Sequence, residues 1–102
     1  MIYIGIGPNN FKGNLYEECW SLFSCCSQVY LQMKGKIIKY NNHTEKLKIN
    51  DIIEVIVDRK LGNLSFAING IDFGIACSNI PKEDVLYPTV VLFQQGHCVE
   101  IV

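Results

Sequence analysis

The sequence is short of the residues that most catalytic, membrane and nucleic-acid-binding proteins depend on. It is 102 residues long and has two histidines, His43 and His97, one tryptophan, Trp20, and three prolines. No apolar run approaches the roughly 20 residues of a spanning helix, so no membrane partner is expected. The opening Met1-Ile2-Tyr3-Ile4-Gly5-Ile6 has no basic segment or cleavage site and is interrupted by Gly7-Pro8, which excludes a secretory leader as read. Cytoplasm or nucleus is the expected compartment. Charge of one sign is also lacking: nine Lys and Arg stand against ten Asp and Glu, a net charge of -1. A nucleic-acid partner needs a cationic surface to displace phosphate counterions, and this balance does not supply one. The lysines Lys34, Lys36, Lys39, Lys46 and Lys48 read as the solvated ends of two strands.

Five cysteines are present, but in no useful spacing: Cys19, Cys25, Cys26, Cys77 and Cys98. An odd, irregular set does not make a disulfide framework. A zinc site favours paired ligands at C-x2-C spacing, and no metal or other cofactor is expected. Adjacent Cys25 and Cys26 are poorly placed to chelate one ion or to form an unstrained disulfide. Reduced thiols acting as small hydrophobes are the plain reading, with a surface redox role for Cys25 or Cys26 as its alternative.

What is present is apolar residue in quantity, 49% of the chain against 19% charged. That is enough to offset the entropy of ordering one domain. The periodicity is clearest after Asn50. In Ile52-Ile53-Glu54-Val55-Ile56-Val57-Asp58, Ile53, Val55 and Val57 share one face. Arg59 to Asn63 reads as a hairpin loop, with Gly62 free to take a positive φ. Leu64, Phe66 and Ile68 then point inward, with Ser65 and Ala67 outward. Asn69-Gly70 is a strong hairpin signal, because both central residues of a type I′ turn need a left-handed backbone. Ile71 to Ala76 returns, completing a meander of three antiparallel strands. Ser78 to Asp84 is a loop, with a helical turn possible from Pro81. Thr89 to Phe93 is apolar on both faces, which suggests a central strand with Pro88 at its start. Cys98 to Val102 reads as the last strand. In the first half, Ile2 to Ile6, Trp20 to Phe23, Val29 to Met33 and Ile37 to Tyr40 are candidate strands, separated by a polar loop from Gly7 to Glu18 and a turn at Lys34-Gly35-Lys36. Short strands at this spacing predict an all-β antiparallel sandwich.

Catalysis finds no support in these residues. Successive strand residues face opposite ways, so His97 and Cys98 do not form a base–nucleophile couple. His43 sits in a polar loop. Asp58 and Asp72 flank turns, where Asp satisfies backbone N–H groups. Gly5-x-Gly7 lacks the third glycine and the helix of a nucleotide fingerprint.

The stretch from Val57 to Ala76, with strand-Asp, a Gly turn, Leu64-Ser65-Phe66, Asn69-Gly70 and Gly74-x-Ala76, resembles the central signature of the SPRY domain. Ile80-Pro81, Leu86-Tyr87-Pro88 and Gly96-x-x-Val99-x-Ile101 follow in the family's order, and Gly5-Ile6-Gly7 and Trp20 match its earlier landmarks. The resemblance implies a β-sandwich of concanavalin-like jelly-roll type and a protein-interaction module that is no enzyme. Such modules serve ubiquitin-ligase adaptors, channels or scaffolds. One domain over residues 1–102 is expected. Compared with the family it begins late, so either strands precede Met1 or the sandwich is completed some other way, and an uncovered edge would promote self-association. Glu54 replaces a usually small residue, and Asn50-Asp51 a Gly-Asp. In the related SOCS-box adaptors an aromatic precedes Gly-His-Cys; here Gln95-Gly96-His97-Cys98 lacks it. The resemblance places partner contacts on two loops expected at one end of the sandwich, Asn9-Asn10-Phe11 and Gln94-Gln95-Gly96. Only Gly96 matches a family groove residue by identity. Phe11 is either tucked inward or free for a partner. The alternative to peptide recognition is an assembly role, in which the exposed edge packs against a sister domain.

Overall fold

The computed structural model describes residues 2–9, 12, 18–25, 28–40, 47–82, 85–92, 96 and 98–101. Alternating apolar residues build the first half into four strands: β1 (Ile2–Pro8), β2 (Trp20–Cys25), β3 (Gln28–Met33) and β4 (Lys36–Lys39). The second half adds β5 (Ile53–Asp58), β6 (Asn63–Ile68), β7 (Ile71–Cys77) and β8 (Leu86–Leu92). These form two antiparallel sheets, one of five strands in the order β4-β3-β2-β1-β8 and one of three in the order β5-β6-β7. The all-β sandwich class read from the sequence is therefore present, and the meander is the smaller sheet. Asn69 and Gly70 carry φ of 53° and 84°, the left-handed pair that the hairpin tip requires.

The two sheets meet through the face that carries Ile6, Trp20, Leu22, Val29 and Leu31 on one side and Leu64, Phe66 and Ile68 on the other. Ile80 closes one end of this core, held by its N–H donating to the Gly62 carbonyl at 2.9 Å. The β1–β2 ladder comes unusually close at Gly5: an added Cβ would lie 1.9 Å from the Trp20 carbonyl oxygen. Only glycine fits there. On the far side of the five-stranded sheet, Tyr3, Phe23 and Tyr30 occupy one cross-strand row. Their ring centroids are 4.6 Å and 5.6 Å apart, which suits offset aromatic packing.

Three readings from the sequence are corrected. The run read from Thr89 is not a central strand: among the described residues β8 pairs with β1 alone and forms an edge, and Pro88 lies inside it rather than at its start. An edge is where a strand tolerates proline. Cys98 to Ile101 belongs to no strand in the structure. Ala67 is buried although its face was expected to be wet. The helical turn read from Pro81 runs into residues 83 and 84, which lie outside the described residues. The turn aspartates behave as read: Asp58 accepts from the Leu61 N–H at 3.0 Å and Asp72 from the Gly74 N–H at 2.7 Å.

Candidate functional site

Of the six loop residues proposed from sequence, the structure describes two. Asn9 is exposed in a turn directly after β1, and Gly96 is an exposed turn residue with φ of 88°. Asn10, Phe11, Gln94 and Gln95 lie outside the described residues, as do His43, His97 and Cys26. The β1–β8 register pairs Pro8 with Leu86 and Ile2 with Leu92. The chain therefore leaves β1 and leaves β8 at opposite ends of the pair, roughly 20 Å apart at about 3.3 Å per residue. This corrects the expectation that both loops depart from one end of the sandwich. Near the β1 exit lie the Arg59 to Gly62 loop and Ile80 to Lys82, tied by Arg59 Nη2 donating to the Lys82 carbonyl at 3.2 Å.

The same end of the molecule holds a feature that the sequence reading missed. β5 passes over β1 and the start of β8, and Ile6, Val55, Val57, Leu86 and Pro88 line a cleft of about 190 Å³, with Arg59 also against it. Beyond it, Val90 and Leu92 stand opposite Ile4 and Ile2 in the ladder, on the core-facing side of the sheet. They remain 44% and 42% exposed, respectively. A core-type wall is thus left uncovered, because a three-stranded layer cannot shield a five-stranded one. The only sequence signal was that Thr89 to Leu92 is apolar on both faces.

A second unforeseen feature stabilises the frame that presents these surfaces. Tyr40, one residue past β4, is buried. Its hydroxyl accepts the Phe66 N–H at 3.1 Å and donates to the Gly74 carbonyl at 2.5 Å. Its ring meets Phe66 edge-on at 5.9 Å. One side chain thereby fastens the first sheet to both β6 and β7. Gly74 has φ of 89° and sits where β7 is bulged against β6, so its carbonyl is free of the regular ladder geometry. Burial pushes the Tyr40 hydroxyl above its ordinary pKa; the Phe66 backbone bond opposes that shift and the Asp72 charge adds to it. Burial likewise raises the Cys19 thiol, with Glu18 adding and Lys34 opposing, and raises Cys77. These raised thiols are poor nucleophiles, because the thiolate is the reactive form. Among the described residues, no group of three or more His, Cys, Asp or Glu is placed to hold a metal ion.

A family model described as SPRY domain matches residues 2–102. The match extends the likeness seen from Asn50 onward across nearly the whole chain. No curated protein and no solved structure matches it.

Proposed function

The chain belongs to the SPRY domain family, a family of protein-interaction modules, and from that premise we propose that it recognises a peptide or surface of a partner protein through loops of the sandwich, in the cytoplasm or nucleus, as part of a ubiquitin-ligase adaptor or scaffold. The observation that carries this reading is the family match over residues 2–102, taken with a two-sheet frame whose buried groups serve packing. Loops on such a frame are free to vary while the frame positions them. The proposed contacts are Asn9, Asn10 and Phe11 after β1, and Gln94, Gln95 and Gly96 after β8. Because the register separates the two exits, each segment is treated as its own contact element. Phe11 would supply an apolar anchor, and the glutamine amides would pair with an extended peptide backbone.

The test captures partners with the wild-type chain and with Phe11→Ala and Gln95→Ala singly and combined, each first shown by circular dichroism to fold. The expected result is loss of a shared partner in at least one single variant. Retention of the same partners at unchanged affinity by the double variant would remove these loops from the interface.

One observation favours a second reading. The uncovered core-facing wall of β8, with Val90 and Leu92 half exposed, suits an assembly role in which a sister domain packs against the open side. This reading expects binding to that sister domain to survive Phe11→Ala combined with Gln95→Ala.

A further inference from the structure

Among the described residues the two sheets have four edges, and three are blunted against pairing. β4 is short and carries Lys36 and Lys39. β7 is bulged twice against β6. β8 has Pro88 within it. Lysine, bulges and proline are the usual devices that keep an edge from recruiting another strand. β5 has no lysine, bulge or proline, and its only charges are the exposed Glu54 and Asp58. Its residues Ile53 to Asp58 hold unbroken register with β6, and its other side is unpaired among the described residues. It also borders the apolar cleft floored by Ile6, Val55, Val57, Leu86 and Pro88. A strand added to β5 would therefore gain a ladder for its backbone and an apolar wall for alternate side chains.

The chain itself supplies a segment of the matching kind. Cys98-Val99-Glu100-Ile101 has a strand's two-residue alternation, yet it pairs with nothing regular in the structure. Val99 is 43% exposed and Ile101 96% exposed. Its direction decides between its own β5 and that of another molecule. The C-terminal half of β5 lies over the start of β8, since Val57 and Arg59 share the cleft with Leu86. β5 thus runs opposite to β8. A tail folding back along β8 within the same molecule would run parallel to β5, whereas every ladder among the described residues is antiparallel. A second copy related by a two-fold axis presents its tail antiparallel, and the exchange satisfies both edges at once and closes.

We infer that β5 is a self-association edge, and that its occupant is the Cys98–Ile101 segment of a second copy of this chain, with Val99 and Ile101 directed into the cleft. The partner reading does not depend on this, and molecular mass reads it out separately. The test is sedimentation of the full chain over a range of concentrations, with Ile101→Asp to remove the tail's apolar contact and Glu54→Lys to place a lysine on the β5 edge. Both positions are exposed, so neither variant endangers the fold. The expected result is a reversible dimer whose dissociation constant rises at least tenfold in each variant. A chain that stays monomeric at every concentration overturns the inference. So does a dimer that Ile101→Asp leaves intact, because its occupant is then another segment, and so does one that Glu54→Lys leaves intact, because its edge is then not β5.

Discussion

Tyr40 acts at three points through one hydroxyl and one ring. Replacing it with Phe keeps the ring against Phe66 but strands the buried Phe66 N–H, while the Gly74 carbonyl, on an exposed residue, is open to water. Leaving that buried donor unsatisfied costs about 1–3 kcal/mol, and that loss is the expected result of urea unfolding of Tyr40→Phe. The pH dependence has a definite sign. Burial raises the hydroxyl's pKa in the folded state, so the unfolded chain ionises first. The stabilisation is complete below the ordinary tyrosine value of about 10 and is lost as pH climbs through it toward the folded value. Stability should fall above pH ~10 in the wild type and fall less steeply in Tyr40→Phe. An identical alkaline slope in both would show that Tyr40 is not the titrating group. Trp20 is only 6% exposed, with Lys34 Nζ 4.8 Å from its ring centroid. Iodide should therefore quench its fluorescence weakly in the folded protein and strongly after unfolding. Gly5 is less forgiving than either, since any side chain there meets backbone, and Gly5→Ala should yield no folded protein on a soluble-expression and circular-dichroism assay.

β6 is the centre of the smaller sheet, and its alternation explains both its prediction and its weight. Leu64, Phe66 and Ile68 are all buried. Phe66→Ala should cost roughly 3–5 kcal/mol, and an unchanged unfolding midpoint would place the residue outside the core. The β5–β7 meander was legible because a two-residue period and an Asn-Gly tip are local signals. Asp51 reinforces that tip in a way sequence did not reveal, accepting from Asn69 Nδ2 at 2.9 Å and from the Lys48 N–H at 2.7 Å. Other elements were misread for physical reasons. β8 looks central because Val90 and Val91 are both apolar, but apolar residues on two faces describe an open core wall as well as an enclosed strand. Cys98 to Ile101 has a strand's pattern, and pattern supplies propensity without a partner. The Tyr40 contacts join residues 26 and 34 positions apart, a distance over which no local period carries information. Of the loop site, sequence supplied the segments and not their relative placement, because strand order, not composition, sets which loops share an end.

At the scale of the whole molecule the two layers are unequal, and stability should follow that inequality. The three-stranded sheet covers the middle of the five-stranded one, where Leu22 and Leu31 are buried, and leaves the β8 side open, where Val90 and Leu92 are half exposed. Leu22 and Leu92 are chemically identical and lie on the same core-facing side, two strands apart through β1. Truncating each to alanine separates burial from residue type. Leu22→Ala removes fully buried methyl groups and leaves a cavity, a loss of about 2–5 kcal/mol. Leu92→Ala removes groups already partly hydrated, so most of the transfer and cavity cost is absent, and the expected loss is below about 1.5 kcal/mol by area burial. Urea midpoints measured at one low protein concentration give the comparison without a contribution from association. Equal losses at the two sites would mean that the β8 wall is covered in solution and that the sandwich closes on that side. A large difference would mean that the stability of the domain resides in the β2–β3–β6 centre, leaving the β5 and β8 margins free to be shaped by whatever binds there.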